Sequence, residues 1–293
     1  DRQIVARYDD VEAARELASL SQAITYEFEN VDASVASLLE QESYVPQGSR
    51  LLFTTQHRRR EKRALEAAGI QTAAYAAIDH PHRILAEAEQ LGYPCILKTV
   101  TGGYDGKGQW IIRQKRDAEN ITYELGDLTS PEGSSGEWIL EKFVPFTKEL
   151  SVIAARSPQG EVRTFPVAEN IHANNILHLS IVPARIPREI AEKAEQMAER
   201  IAKALQVVGL IAVEMFLTAD GNLLVNELAP RPHNSGHYTM DACVTSQFEQ
   251  HIRAICNLPL GSTRLLTPVV MVNILGEHLD PVLKRMTGKD PLE

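Results

Sequence analysis

The sequence predicts a mixed α/β protein of the α+β kind, and three observations carry that prediction. Strand-like and helix-like segments interleave along the chain; a glycine-rich loop, Thr99 to Trp110, lies between two runs of strand chemistry; and two apolar strands, "GLIAVEMFLT" and "NLLVNELA", adjoin at Asp220-Gly221. Composition agrees: 293 residues with 44% hydrophobic content make a substantial core, divided over more than one domain. The formal net charge of −9 argues against a nucleic-acid surface. Only His57 to Arg63 is locally basic, a run that reads either as a solvated helix face or as an anion site. Cys95, Cys243 and Cys256 form no C-x-x-C pair, so neither a disulfide framework nor a zinc ribbon is expected and a reducing cytoplasm fits. No segment reaches the roughly 18 to 20 apolar residues of a membrane span, and the opening residues lack a signal-peptide pattern.

The elements follow in order. "DRQIVARYDD" reads as a short strand leading into a helix from Asp10 to Leu20, and "AITYEFENV" as a second strand, like the remainder of a βαβ unit. Thr55 to Ala68 is helical and stops at Gly69, a suitable left-handed C′ residue. A further helix starts near Pro81, places Ile84, Leu85, Ala88 and Leu91 on one face, and ends at Gly92. "CILKTV" and "QWIIRQ" are strands flanking the glycine loop, and a strand pair is expected around "EWILEKFV" and "ELSVIAAR" before "VRTFPVAEN". Pro187 opens the longest amphipathic helix, with Ile190, Ala194, Met197, Ile201 and Leu205 at helical spacing. The two strands around Asp220-Gly221 follow, then a helix from about Ser246 to Cys256, the strand "TPVVMVNIL" and a polar end.

The glycine loop is not a Walker A loop. Gly102 and Gly106 stand one residue too close, Gly108 occupies the Ser/Thr position, and a strand follows where a helix N-terminus is required. The dinucleotide fingerprint fails for the same reason. What remains is a hairpin able to fold over a nucleotide, its amides and Lys107 reaching phosphates, or else a plain β-turn loop. Lys98, flanked by Ile96, Leu97 and Val100, is expected at a sheet edge or paired with an anion, because a buried unpaired ammonium is costly.

Two carboxylates carry a sharper inference. If Asp220-Gly221 are the central residues of a two-residue hairpin turn, Glu214 and Glu227 stand directly opposite each other. Facing carboxylates repel, and a divalent cation between them removes the penalty; Mg²⁺ favours one or two carboxylates plus nucleotide phosphates. A longer loop would change the register and send both to solvent. "LAPRPHNSGHYT" follows, and its Arg231, His233 and His237 suit an anionic substrate. A zinc site from His233 and His237 would need helix geometry and a further ligand nearby.

A strand lysine, a glycine hairpin, "EKFV", Glu149 and two glutamates on adjacent strands together resemble the ATP-grasp ligases. Within that superfamily "GGYDGKGQW", "EKFVPFTKELSVI", "AENIHANNILHLSIVPAR" and "NELAPRPHNSGH" are similar to the N5-carboxyaminoimidazole ribonucleotide synthases of purine biosynthesis, over nearly the whole chain. Most ATP-grasp enzymes carry asparagine two residues after the second glutamate; Ala229 stands there, as expected of this subfamily.

The resemblance implies a partial Rossmann-like domain at 1–56, an ATP-grasp domain at 57–246 with its flap at about 98–110, and a partial C-terminal β domain at 247–293. The family's glycine-rich opening unit and its closing basic segment have no counterpart in the sequence. It also implies ATP and Mg²⁺, aminoimidazole ribonucleotide and bicarbonate as substrates, carboxyphosphate as intermediate, and a cytoplasmic homodimer. Arg58 and Lys98 would approach the ATP phosphates under Gly103, Tyr104, Asp105, Gly106, Lys107, Gly108 and Gln109. Glu141, Lys142, Phe143 and Val144 would form the adenine hinge, Glu149 would take the ribose, and His172 would line the nucleotide site. Glu214 and Glu227 would hold Mg²⁺ with Asn226 beside them. Tyr104, Lys107, Arg231, His233, Asn234, Ser235 and His237 would meet the substrate. Asp105, Lys107, Arg231 and His233 form the implied catalytic set, Asp105 accepting the amine proton. The competing readings are another ATP-grasp ligase, which would lack "APRPHNSGH", and a non-catalytic ATP sensor, which would have no use for that loop.

Overall fold

The computed structural model describes residues 2–102, 107–128 and 137–287. The described part of the opening segment, up to residue 56, holds helices α1 (Val11–Leu20), α2 (Ala33–Glu42) and α3 (Ser49–Thr55). Asp10 caps α1 by accepting the Ala13 N–H, and Asp32 caps α2 by accepting from Ser34 and Val35. Neither strand expected here forms: the described opening residues and 23–31 find no ladder partner among the described residues, and the Ile24 N–H bonds the Tyr44 carbonyl instead. Alternating side chains make a strand only where a neighbouring strand exists to receive the backbone.

The helix expected over 55–68 is α4 (Arg58–Ala67), which starts three residues later than expected, after a break at Gln56 and His57 that separates it from α3. Its end matches expectation. Gly69 sits at φ +67°, and the Ile70 N–H reaches back to the Leu65 carbonyl, a Schellman closure.

Next come β1 (Tyr75–Ile78), a 3₁₀ turn at Pro81–Arg83, α5 (Ile84–Leu91), β2 (Cys95–Thr99), β3 (Gln109–Ile112), α6 (Lys115–Leu128) and β4 (Trp138–Lys142). These strands form an antiparallel sheet in the order β1-β4-β2-β3. Ile78, Ile84, Ala88, Leu97, Ile112, Ala118 and Leu140 make its core, where α5 and α6 cover one face.

The chain then crosses to a second sheet through β5 (Phe146–Arg156), β6 (Val162–Thr164), β7 (Ala168–Ala173), β8 (Ile176–Val182), α7 (Arg188–Ala204), β9 (Gly209–Thr218) and β10 (Leu223–Ala229). After a 3₁₀ turn at Asn234–Gly236 follow α8 (Thr239–Ala242), α9 (Gln247–Ile255), β11 (Val269–Val272) and α10 (Gly276–Thr287). Strand order is β10-β9-β5-β7-β8-β11, with β6 on β5. The expected pairing of "EWILEKFV" with "ELSVIAAR" is therefore corrected: β4 and β5 belong to different sheets, separated by a link containing Pro145, which has no N–H to offer a ladder.

Alternation along β5 and β9 divides the second sheet into two unlike faces. Leu150, Val152 and Ala154 of β5 and Ile211, Val213, Met215 and Leu217 of β9 pack against Ala194, Ala198 and Ile201 of α7. The opposite face is apolar at one end, where Ile153, Ala155, Leu210 and Ala212 meet Ala254 of α9. At the other end it carries Glu149, Ser151 and Glu214.

Gly209 begins β9 at φ +99°, and an added Cβ would lie 2.8 Å from His251 Cε1. Gly209→Ala is expected to cost more than about 1 kcal/mol in urea unfolding, from backbone strain and the clash together. An unchanged midpoint would contradict the placement of α9 against β9.

Candidate active site

Glu214 and Glu227 face each other across β9 and β10, as the sequence predicts, but by a different route. Thr218 N–H bonds the Asn222 carbonyl and Gly221 sits at φ +81°, so the connection is the three-residue loop 219–221 rather than a two-residue turn. Leu217 then pairs with Leu223 and Met215 with Val225, a register that misses the expected one by one residue. A β-bulge between Val225 and Glu227 restores it. Val225 and Leu228 both enter the core under α7, which leaves the two residues between them, Asn226 and Glu227, on the side away from it. The backbone groups released by the bulge are used elsewhere: Val225 N–H bonds the Gln71 carbonyl and Lys62 Nζ bonds the Asn226 carbonyl.

The basic run is not a plain solvated face, since three of its cations pair with carboxylates. Arg58 Nη1 reaches Glu227 Oε2 at 3.1 Å, and Arg59 pairs with Asp79. Lys62 is almost fully buried and pairs with Glu141 at 3.2 Å, while Lys98 approaches the other oxygen of that carboxylate at 2.6 Å. Lys98 lies on β2, an inner strand between β4 and β3, so of the two expected environments the anion pair is the one found. Burial opposes ionisation of Glu141, but Lys98, Lys62 and Arg58 outweigh it and hold the pKa at about 2. Partial desolvation in the cleft opposes ionisation of Glu227, but Arg58 and Lys98 outweigh it and hold its pKa below the usual carboxylate range. Glu61 behaves oppositely. Burial and the Glu227 charge push its pKa up to about 8, although its Oε2 accepts the Leu228 N–H.

The expected nucleotide residues line up along both sheets. The described limbs of the glycine segment pair antiparallel: Lys98 pairs with Gln109, and Thr99 N–H bonds the Gly108 carbonyl. Gly108 has φ +70°, and a Cβ there would meet Thr99 Oγ1 at 2.7 Å. Lys107 is exposed; Gly103, Tyr104, Asp105 and Gly106 lie outside the described residues. Of the hinge residues, Glu141 ends inside the lysine pair, Lys142 donates to the Tyr93 carbonyl, Phe143 is exposed and Val144 is buried. Glu149 forms an ion pair with His172. Burial works against the imidazolium of His172, but Glu149, with Glu214 and Glu227 farther off, raises its pKa. Phe216, opposite Glu149 on β9, stacks on Phe146 at 4.6 Å between centroids.

The loop after β10 is held by residues that the sequence did not single out. Gln247 is completely buried; its Oε1 accepts the His233 N–H, and its Nε2 donates to the His233 carbonyl and meets His237 Nδ1 at 2.8 Å. A Cβ on Gly236 would lie 2.6 Å from Gln247 Oε1, so this clamp requires glycine there. His233 Nε2 lies 3.0 Å from Glu214 Oε1, Arg231 pairs with Glu29 at 3.2 Å, and Asn234 opens the 3₁₀ turn. Ser235 is turned inward, bonded to Ser151 and His233. Burial, His233 and Arg231 lower the His237 pKa.

The donor set fits Mg²⁺. Two carboxylates share one face, and among the described residues no group of three or more His, Cys, Asp or Glu side chains completes an all-protein cage. A cation that takes its remaining ligands from phosphate and water suits such a pair. A zinc site from His233 and His237 would need a further protein ligand, and among the described residues no group of three or more His, Cys, Asp or Glu side chains supplies one.

Two outcomes follow from these burials. Lys62→Met is expected to cost about 3 kcal/mol in urea unfolding, because it leaves a buried carboxylate short of a partner, while the exposed Arg188→Ala should stay within about 0.5 kcal/mol. The Glu61 carboxyl titrates near 4.5 when unfolded and near 8 when folded, so the folded state holds the extra proton between those values. Its contribution is present at low pH and is lost as pH rises through that window; Glu61→Gln, which keeps an acceptor for Leu228, should flatten the decline of Tm with pH.

With this geometry in place, comparison with known proteins is direct. The ATP-grasp domain family matches residues 63–248. The chain is 52% identical over 291 residues to the N5-carboxyaminoimidazole ribonucleotide synthase of Bacillus subtilis (strain 168), covering 99% of this chain and 73% of that one. It is similar to an N5-carboxyaminoimidazole ribonucleotide synthetase crystallised with ADP, with a TM-score of 0.91 and 56% identity over 97% of this chain and 74% of that chain. It is also similar to the Aspergillus clavatus synthase crystallised with ADP and 5-aminoimidazole ribonucleotide, with a TM-score of 0.87 and 30% identity over 96% and 74% of the two chains. No helix among the described residues is long and apolar enough to cross a membrane. Identity at this level over nearly its whole length places the chain in the ATP-grasp family, as a member of the N5-carboxyaminoimidazole ribonucleotide synthases.

Proposed function

We propose that the chain carboxylates 5-aminoimidazole ribonucleotide with bicarbonate, converting ATP to ADP and phosphate, in de novo purine biosynthesis. The observation that carries this reading is the facing pair Glu214 and Glu227 with cations on one side and the Arg231–His237 loop on the other. An anionic nucleotide and an anionic acceptor can then meet over one pair of carboxylates.

Bicarbonate is a poor electrophile, and its phosphorylation to carboxyphosphate makes the carbon attackable by the amine. Arg58 and Lys98 are assigned to the phosphates, where they oppose charge spreading over the transferring phosphoryl group. Bound Mg²⁺ would supply further neutralisation of that charge, held by Glu214 and Glu227 with Asn226 beside them. Glu149 is assigned to the ribose, with His172 beside it, and the 141–144 segment to adenine. The glycine hairpin, with Lys107, Gly108 and Gln109 on its returning limb, is assigned to exclude water from the activated intermediate. Arg231, His233, Asn234 and His237 are assigned to the acceptor. His237 is kept neutral by its surroundings, and its Nδ1 lies against the Gln247 amide, so Nε2 carries the hydrogen and can donate. Tyr104 and Asp105 complete the set, Asp105 accepting the amine proton. Residues 57–246 form the catalytic ATP-grasp domain in this reading, flanked by the segments 1–56 and 247–293. A cytoplasmic location agrees with three unpaired cysteines, and the homodimer rests on the family resemblance alone.

The test is phosphate release from ATP, Mg²⁺ and bicarbonate, with and without 5-aminoimidazole ribonucleotide. Release should depend on the ribonucleotide, and Glu214→Gln should lower it by about 100-fold or more. ATP binding without any ribonucleotide dependence would sink the substrate assignment.

A further inference from the structure

Beneath the carboxylate pair runs a row of buried polar side chains that no step above uses. Ser180 of β8, Asn170 of β7, Ser151 of β5 and Ser235 are 0%, 5%, 2% and 1% exposed. They lie on the Glu214 side of the second sheet, with Ser151 directly opposite Glu214 in the ladder. Ser180 Oγ donates to Asn170 Oδ1 at 2.8 Å, Asn170 Nδ2 donates to Ser151 Oγ at 2.9 Å, and Ser151 Oγ donates to Ser235 Oγ at 2.8 Å. Ser235 Oγ then lies 2.9 Å from His233 Nδ1, and His233 Nε2 lies 3.0 Å from Glu214 Oε1.

This chain of bonds has a direction. An amide nitrogen can only donate, which leaves Ser235 as the partner for the Ser151 hydrogen and His233 Nδ1 as the partner for the Ser235 hydrogen, the arrangement in which every buried hydroxyl hydrogen of the row is satisfied. The Ser235 backbone N–H also points at Nδ1, at 3.4 Å, a longer and weaker contact that favours the same assignment without fixing it. With Nδ1 an acceptor, the neutral ring carries its hydrogen on Nε2, facing Glu214. Gln247 fixes the His233 backbone through both its N–H and its carbonyl, which holds the ring in place between Ser235 and Glu214.

We propose that Asn170, Ser151 and Ser235 are positioning residues that lock His233 as the Nε2–H tautomer and so orient the Glu214 carboxylate. This rests on the reading of Glu214 as a metal carboxylate for its consequence in turnover. The tautomer itself is independent of that reading. Partners of this outer kind orient a ligating carboxylate and tune its donor strength.

The test is long-range ¹H–¹⁵N correlation spectroscopy of ring-labelled histidine in the whole chain, with His233 assigned by its loss in His233→Gln. The wild type should show the Nε2–H pattern for His233; an Nδ1–H pattern overturns the proposal before any variant is made. In Asn170→Asp the carboxylate can only accept, Ser151 turns its hydrogen toward it, and the His233 pattern should shift toward Nδ1–H. Ser151→Ala, a milder change, should give a mixture of the two patterns. Ser180→Ala also removes a buried hydroxyl but leaves the Asn170–Ser151 bond in place, and the Nε2–H pattern should survive. A residue acting only by filling space would not distinguish Ser180 from Ser151, so equal effects of the two alanine variants, or none, overturn the proposal. In turnover, Ser151→Ala should lower kcat about tenfold with the KM for ATP little changed. Failure of ribonucleotide-dependent turnover in the wild type would strike the functional reading and leave the tautomer result standing.

Discussion

Two like charges set face to face by the β9–β10 ladder are the constraint around which the cleft is built. Unit charges about 4–5 Å apart repel by about 3–4 kcal/mol at an effective dielectric near 20. The fold answers that repulsion from two directions. From one side α4 brings Arg58 onto Glu227 and Lys62 onto the neighbouring Glu141; from the other, the loop after β10 brings His233 onto Glu214. These partners moderate the pair without covering it, since the Glu227 side chain keeps 42% of its surface exposed. The result is a negative centre inside a positive rim, suited to a small divalent cation carrying an anionic nucleotide.

Much of this was legible, although not always for the right reason. Glu214 and Glu227 were expected to be opposite each other from a two-residue turn at Asp220-Gly221, whereas the turn takes three residues and the extra one at Asn226 returns the pair to register. Turn length and bulge position are both poorly encoded in local sequence, and here their offsets cancel. The glycine segment was legible as a hairpin because strand chemistry on both sides excluded a helix, which also excluded the two common phosphate-binding motifs. Asn174 and Asn175, at φ +52° and +63°, mark a further tight hairpin joining β7 to β8. That Asn-Asn pair is a turn signal that could have been used.

What escaped the sequence was set by long-range packing. Lys62 and Glu61 belong to a basic run that reads either as a solvated face or as an anion site, and only the docking of α4 beside β10 shows that they are buried. Ser151, Asn170, Ser180 and Gln247 belong to four separate elements, and no spacing rule links them. The one usable signal was negative: a serine and an asparagine at inward positions of otherwise apolar strands need partners, because an unpaired buried polar group is costly. The strands expected before residue 32 do not form for the converse reason, since the pattern is present but no ladder partner lies beside it among the described residues.

The central claim is that Glu214 and Glu227 are coupled through a cation that arrives with the nucleotide. The most direct measurement is calorimetry of ADP binding with and without Mg²⁺, on the wild type and on a Glu214→Gln, Glu227→Gln double variant. Mg²⁺ should tighten ADP binding to the wild type, and the double variant should bind ADP with no response to Mg²⁺. An equal Mg²⁺ response in both proteins would contradict the claim and place the cation elsewhere.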